Sequence, residues 1–279
     1  MIGSEGLKGK IRNIANSKNL RSQEVLQMFF FERFLERLSK SKYKFNFVIK
    51  GGLLISSMIG IDNRTTMDMD TTIKGVPLKE EVIRNIISEI INVEVNDGIE
   101  FEITNISHIR EEDEYENFRV HLIANFDKIK NDIKIDITTG DAITPKEIEY
   151  LYPCMFQEES LRVLAYPLET ILAEKYESVI KRNITTTRMR DFYDLYNLYN
   201  LRKEEIDFDI LKQAIISTAN RRESLPLMKQ AIEIIEDIKD DDYLKELWKV
   251  YLADNLYIGD LNFSETVKVV EIIAEKIAL

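Results

Sequence analysis

Two aspartates separated by one residue, Asp68 and Asp70, are the strongest candidates for chemistry in the sequence. They lie in the segment 66–73, TMDMDTTI, whose alternation is typical of a β-strand. Residues two apart on a strand point to the same face, so the two carboxylates project together, while Met67 and Met69 point into the core. Two anions on one face need a compensating cation, which favours a bound metal ion. Such pairs also occur by chance on solvated strands, so further residues must decide.

A second alternating segment supplies a third aspartate. Residues 132–138 place isoleucines on one face and Asp136 with Lys134 on the other. If this strand neighbours the first, three aspartates converge on an oxygen-rich site that suits Mg²⁺, with Mn²⁺ as the alternative. The chain has two histidines and one cysteine, Cys154, which excludes a zinc cluster and a disulfide framework. We therefore expect Asp136 to complete the metal site.

A glycine turn precedes these aspartates in the chain. The segment 45–49 is typical of a short buried strand, and it continues through Gly51-Gly52 into a helical stretch. Glycine lets a phosphate approach the backbone, and the free N–H groups of a first helical turn bind anions. We predict that this turn binds nucleotide phosphates, assisted by Arg64 and Thr65. The alternative is a simple turn, since the Walker pattern GxxxxGK[ST] is missing from the sequence.

One lysine falls on an apolar helix face. The segment 167–182 has apolar residues at helical spacing, and Lys175 lies among them. The apolar stem of such a lysine either lies along the helix surface and brings the ammonium group to solvent, or the ammonium group contacts an anion. A triphosphate is the candidate anion. Asp191 and Asp194 would lie one turn apart on the next helix. Asp191 is predicted to orient Lys175 or to act as a base; the alternative is a structural ion-pair cluster.

The elements that must position these residues change along the chain. Periodicity predicts a helix at 22–39, then a mixed sheet with a few helices, and from Pro167 onward helices almost throughout. We predict an α+β protein: a mixed-sheet lobe with flanking helices at 1–160, and a helical-bundle lobe at 161–279 that completes the active-site cleft. The other predicted elements are strands at 100–107 and 117–126 and helices at 79–91, 189–200, 208–219, 225–238, 241–256 and 264–277.

The composition excludes several classes of protein. Of the 279 residues, 44% are hydrophobic and 31% are charged, as in an ordinary globular protein. The net charge of −11 argues against a protein that coats nucleic acid non-specifically, although the stretch 175–190 is locally basic. No apolar run reaches the roughly 18 residues of a membrane span. We expect a cytoplasmic protein without a membrane partner.

Five short motifs follow one another in a fixed order. They are Lys50-Gly51-Gly52, Arg64-Thr65-Thr66-x-Asp68-x-Asp70, Lys134-Ile135-Asp136, Glu169 with Ala173-Glu174-Lys175, and Arg188-x-Arg190-Asp191-x-Tyr193-Asp194. In this order they resemble the AbiEii/AbiGii toxin family. Members of that family are nucleotidyltransferases of the DNA polymerase β type, and they form the toxin half of bacterial toxin–antitoxin and abortive-infection pairs.

The resemblance implies roles for individual residues. Asp68 and Asp70 would bind the catalytic metal, Lys175 would contact the nucleotide, and Asp191 would be required for activity. Asp136 matches the third carboxylate of the broader fold, with the neighbouring Asp141 as a rival. Relatives with a glycine–serine pair use the serine near the phosphate, and here Gly52 occupies that place. The resemblance therefore implies that the hydroxyl contact comes from elsewhere, with Thr65 and Thr66 as the candidates.

The combined expectation is a magnesium-dependent toxin of a type IV toxin–antitoxin or phage-resistance system that transfers a nucleotide from an NTP to an RNA acceptor. GTP or a pyrimidine NTP is the candidate donor, tRNA is a candidate acceptor, and a cognate antitoxin encoded nearby is the expected partner. Two alternatives stay open. One is an NTP-binding toxin that acts through a partner protein without turnover; the other is a small-molecule nucleotidyltransferase of the aminoglycoside type.

Overall fold

The computed structural model describes residues 3–109 and 117–279. The chain divides into two compact units, which we call the sheet unit and the helical unit. None of the described helices is both long enough and apolar enough to cross a membrane. The sheet unit consists of the chain up to Gly140 together with Ile148–Ala165, and the helical unit consists of Asp141–Glu147 together with Tyr166–Leu279.

Within the described residues, seven strands form one mixed sheet in the sheet unit. They are β1 (Phe47–Lys50), β2 (Asp68–Ile73), β3 (Glu100–His108), β4 (Phe118–Phe126), β5 (Ile129–Thr138), β6 (Ile148–Tyr152) and β7 (Leu161–Ala165). Their order across the sheet is β3-β4-β5-β2-β1-β7-β6. The pairs β2/β5 and β1/β7 are parallel, and the other neighbours are antiparallel. The sheet unit extends past residue 160 because β7 pairs with β1.

The strands that carry the candidate residues are amphipathic. On β5, Ile133, Ile135 and Ile137 are fully buried, and the residues between them lie on the more exposed face. On β2 the same alternation buries Met69. Met67 was also expected in the core, and that expectation is wrong: β2 begins only at Asp68, and Met67 is 41% exposed.

Four helices accompany the sheet in the described part of this unit. The predicted helix at 22–39 is present, and Phe30, Phe31 and Phe34 on it are fully buried. The first helix was not predicted, because only a few small and apolar side chains among many polar ones mark its buried face. The helices are α1 (Ser4–Lys18), α2 (Ser22–Lys40), α3 (Gly51–Ile59) and α4 (Glu80–Ile91).

The helical unit follows the helical periodicity from residue 167 onward, with one difference. The predicted helix at 225–238 is two helices, because the chain turns at 229–230 after a single turn containing Pro226. Among the described residues the helices are α5 (Leu168–Arg182), α6 (Met189–Arg202), α7 (Phe208–Arg221), α8 (Leu225–Met228), α9 (Ala231–Asp240), α10 (Asp242–Asp254) and α11 (Phe263–Ile277).

A buried carboxylate joins α2 to the loop between β6 and β7. Glu32 is fully buried and accepts hydrogen bonds from the backbone N–H groups of Met155, at 2.7 Å, and Phe156, at 3.2 Å. Burial opposes the charged form more strongly than these bonds and Arg33 favour it, and it raises the pKa of Glu32 to about 7 from an ordinary value of 4.5. The folded chain therefore retains a proton that the unfolded chain releases.

This titration predicts how the stability of the protein depends on pH. The proton on Glu32 adds to the free energy of unfolding. This stabilisation is complete below pH 4.5, declines as the pH rises, and is lost above about pH 7. Glu32→Gln removes it. We expect the free energy of unfolding of Glu32→Gln, relative to the wild type, to rise by about 1–3 kcal/mol between about pH 5 and about pH 8. Urea denaturation at several pH values measures this difference, and a flat profile would contradict the assignment.

Candidate active site

A row of four charged residues crosses four neighbouring strands of the sheet unit. In the strand register Lys50 on β1 lies opposite Asp70 on β2, Asp70 lies opposite Asp136 on β5, and Asp136 lies opposite Arg119 on β4. Side chains in register on adjacent strands share a face. Two carboxylates thus lie side by side at the centre of the row, with a cation at each end. The Lys50 ammonium also donates to the Thr138 hydroxyl at 2.8 Å.

Asp68 lies one step along the same face. It is in register with Lys134 on β5, and Lys134 is in register with His121 on β4. Asp68 and Asp70 are both partly exposed, while Met69 between them is fully buried. The two carboxylates therefore share the open face of the sheet, as the alternation of the sequence predicts.

Asp136 is bound by an arginine. Arg119 donates to both carboxylate oxygens of Asp136, from Nε and from Nη2, each at 2.7 Å. These hydrogen bonds, with the negative charges of Asp136, Asp68 and Asp70, hold the pKa of Arg119 above its ordinary value. Asp136 lies beside Asp70, where a third ligand was expected, but both of its oxygens are bonded to Arg119.

The paired aspartates suit a magnesium ion. No group of three or more His, Cys, Asp or Glu side chains within residues 3–109 and 117–279 is arranged to hold a metal. Magnesium is often held by one or two carboxylates, and water and substrate phosphates fill the remaining positions. Asp68 and Asp70 fit such an ion, because they offer only hard oxygen ligands on one accessible face.

The glycine turn lies against Asp70, one member of this carboxylate pair. Gly51 begins α3 with φ +63°, a backbone conformation that favours glycine, and a Cβ there would overlap the carboxylate of Asp70. A Cβ on Gly52 would lie 2.7 Å from the Thr66 hydroxyl and 3.0 Å from Nη2 of Arg64. Gly51 is thus required by its backbone conformation and by its contact with Asp70, and a side chain on Gly52 would require Thr66 and Arg64 to move. The first turn of α3 therefore begins directly beside Asp70.

Arg64 and Thr65 were predicted to assist phosphate binding, and both are buried beneath the turn. Arg64 is 1% exposed, and its guanidinium donates to the carbonyl oxygen of Thr65. The Thr65 hydroxyl donates to Glu24 of α2 at 2.8 Å. Gln27 of α2 donates to the carbonyl of Met67 at 3.2 Å. These contacts fix the position of residues 64–67, the segment that leads into β2, against α2.

In the helical unit, one lysine lies between two aspartates. Lys175 Nζ on α5 is 2.7 Å from Asp191 Oδ1 and 2.9 Å from Asp194 Oδ2, both on α6. The Ser178 hydroxyl donates to Asp191 Oδ2 at 2.8 Å. Both aspartates are buried and Lys175 is partly exposed. The lysine on the apolar helix face therefore has two anionic partners within its own unit, an arrangement that fits both the orientation of Lys175 by Asp191 and a structural ion-pair cluster.

Asp141 was the alternative to Asp136 as the third carboxylate of the site. It belongs to the helical unit, where it accepts a hydrogen bond from the Tyr166 hydroxyl at 2.9 Å. It is not part of the charged row.

Arg119 is a member of the row that sequence reasoning missed. The alternation of 117–126 places Arg119 on the exposed face of its strand, but only the pairing of β4 with β5 brings it to Asp136.

The fold is shared with solved nucleotidyltransferase-like structures. A candidate nucleotidyltransferase from Helicobacter pylori superposes with a TM-score of 0.54 at 18% identity, over 92% of this chain and 96% of that one. JHP933 from Helicobacter pylori superposes with a TM-score of 0.55 at 18% identity, over 92% of this chain and 93% of that one. At this level of identity the likeness establishes the fold.

The sequence itself establishes the family. The family of nucleotidyl transferase AbiEii toxins of type IV toxin–antitoxin systems matches residues 33–277, and the chain belongs to it. The protein is a nucleotidyltransferase. The resemblance drawn from the five motifs is confirmed, and the match extends through the helical unit. Comparison with curated proteins gives no match.

The glycine turn leads to a first test of the site. Gly51→Ala should lower the free energy of unfolding by at least about 2 kcal/mol, because the added methyl group combines an unfavourable φ with overlap on Asp70. Gly9→Ala, inside α1 and with open space around it, should be neutral or stabilising by about 0.5–1 kcal/mol. Urea denaturation of both variants checks this. Equal effects at the two positions would show that the turn tolerates a side chain.

The lysine between two aspartates leads to a second test. Lys175→Ala removes the ammonium from two buried carboxylates, and we expect the free energy of unfolding to fall by about 3 kcal/mol at neutral pH. Lys181→Ala, on the exposed side of the same helix, should cost less than about 1 kcal/mol. The fluorescence of Trp248, which lies in the same unit, reports the unfolding. Similar decreases in the free energy of unfolding for both variants would contradict a buried ion-pair network around Lys175.

Proposed function

We propose that this nucleotidyltransferase uses Mg²⁺, or Mn²⁺ in its place, to transfer a nucleotide from an NTP to a hydroxyl group of an RNA acceptor. The observation that carries the proposal is the contact between the glycine turn and Asp70, since it joins an anion-binding helix start to a carboxylate pair suited to a metal. Membership of the AbiEii family supports the reaction class. As a toxin of a type IV system, the protein would be restrained by a cognate antitoxin and would act in defence against phage.

The reaction follows from these groups. The oxygen of the acceptor hydroxyl attacks the α-phosphorus of the NTP, the bond to the β-phosphate oxygen breaks, pyrophosphate leaves, and the hydroxyl proton passes to water. Asp68 and Asp70 would hold the metal. When bound, the metal supplies positive charge that stabilises the attacking and leaving oxygens. The backbone of Gly51 and Gly52 would bind the phosphates, with Arg64 and Thr65 supporting the turn from beneath.

Residues of the helical unit are assigned through the family resemblance. We propose that Lys175 contacts the nucleotide and offsets the charge that develops on its phosphates, and that Asp191 positions Lys175. Asp136 acts in this proposal beside the metal pair, in contact with Arg119. The support for Lys175 is that its side chain is partly exposed while two buried aspartates fix the position of its ammonium group.

An RNA acceptor is supported by charge. The net charge of the chain is −11, yet four basic side chains at the end of α5 and the start of α6 are exposed. A local basic surface in an acidic protein suits a selected polyanion and disfavours general coating of nucleic acid. These side chains are Lys181, Arg182, Arg188 and Arg190. GTP or a pyrimidine NTP as donor and tRNA as acceptor are the substrates to test first.

The test uses each of the four NTPs labelled at the α-phosphate, with Mg²⁺ and deproteinised total RNA. We expect label on RNA with one pyrophosphate released per nucleotide added, and no transfer from γ-labelled NTP. Asp68→Asn should reduce the rate by about 100-fold or more, because the metal contributes several kcal/mol to the barrier. Asp132→Asn, an exposed aspartate on β5, is the matched control and should retain activity.

The outcomes separate the competing functions. A wild type that transfers no label with any NTP, or an Asp68→Asn variant that stays active, rejects the proposal. NTP binding without pyrophosphate release would favour a toxin that acts through a partner protein. Pyrophosphate release that depends on aminoglycosides in place of RNA would favour a small-molecule nucleotidyltransferase.

A further inference from the structure

The third carboxylate of the sheet face is occupied by an arginine. Arg119 binds Asp136 through two parallel hydrogen bonds of 2.7 Å, the strongest geometry available to an arginine and a carboxylate. Asp136 is 13% exposed and Arg119 34% exposed, so the pair is only partly screened by water. A carboxylate bound in this way has one lone pair of each oxygen engaged and its negative charge compensated by the guanidinium, so it attracts a second cation less strongly than an unpaired carboxylate does.

The sheet register holds this pair together. Arg119 and Asp136 are direct partners on antiparallel strands, so the ion pair needs no long reach of the side chain. Asp136 is at the same time the direct partner of Asp70. Arg119 therefore binds the carboxylate that the strand register places beside Asp70. Arg119 also lies within the electrostatic field of Asp68 and Asp70.

We propose that Arg119 is a positioning residue that withholds Asp136 from the metal ion. The metal is then held by Asp68 and Asp70 alone, and phosphate oxygens of the NTP complete its coordination. The inference rests on the proposed metal-dependent function. Its consequence is that the metal binds weakly to the free protein and firmly only together with the nucleotide, because ligand number and charge set the affinity of a carboxylate site.

The test measures Mn²⁺ binding without nucleotide, by electron paramagnetic resonance of the free ion. Arg119→Gln releases Asp136, and we expect it to tighten Mn²⁺ binding about tenfold or more. The decisive variant is Arg119→Gln combined with Asp136→Asn, which removes the ion pair without changing the net charge. We expect this double variant to bind Mn²⁺ within about threefold of the wild type, since neither residue is a ligand.

The inference is overturned if the double variant loses about tenfold or more in Mn²⁺ affinity, because Asp136 is then a ligand in the wild type. It is also overturned if Arg119→Gln leaves Mn²⁺ affinity unchanged or weaker. Arg162→Gln, which removes an exposed arginine from β7 of the same sheet, controls for the loss of one positive charge and should have no effect.

Asp68→Asn separates this inference from the proposed function. If Asp68→Asn weakens Mn²⁺ binding and the double variant weakens it too, the role of Arg119 is rejected while the metal site stands. If Asp68→Asn leaves Mn²⁺ binding at the wild-type level, the metal site of the proposed function is rejected, and this inference with it. Thermal unfolding checks that each variant folds. Should the double variant not fold, Arg119→Met combined with Asp136→Leu replaces the ion pair by apolar side chains and carries the same expectation.

Discussion

The repulsion between Asp70 and Asp136 is the constraint around which the sheet face is organised. The parallel pairing of β2 with β5 places them side by side. Two like charges about 5 Å apart repel by about 3 kcal/mol at an effective dielectric constant of about 20. Arg119 binds Asp136, and Lys50 occupies the other end of the row. Asp136 is thereby neutralised by Arg119, and Asp70 shares the open face of the sheet with Asp68.

The glycine turn depends on the same row. The carboxylate of Asp70 occupies the space that a side chain on Gly51 would need, so the start of α3 packs directly against Asp70. Thr66 and Arg64 fill the corresponding space beside Gly52. A steric requirement thus keeps the start of a helix against Asp70, which the strand alternation places on the same face as Asp68. A nucleoside triphosphate needs the same combination, because its phosphates and its metal ion bind together.

The helical unit compensates its buried acids by the same device, a cation placed between or against carboxylates. Lys175 lies between Asp191 and Asp194. Arg222 bonds to Glu177 and Glu174, each at 2.8 Å. Buried charges persist in a protein only where such partners are supplied, and each partner also fixes the orientation of the group it neutralises. The carboxylates and basic side chains of these ion pairs are therefore held in defined positions by the folded chain itself.

The sequence alone determined most of the elements, because hydrophobic periodicity is a local property. The strands of Asp68 and Asp136, the helix of Lys175 and the α+β class could be inferred from that periodicity, and the family could be inferred from the order of the five motifs. The tertiary structure decided which strands are neighbours, and so which charges meet. Periodicity places Arg119 on a face but carries no information about its partner. Only the pairing of β4 with β5 shows that Asp136 is bonded to an arginine, and only the packing of α3 on β2 shows that Gly51 must lack a side chain because Asp70 fills that space.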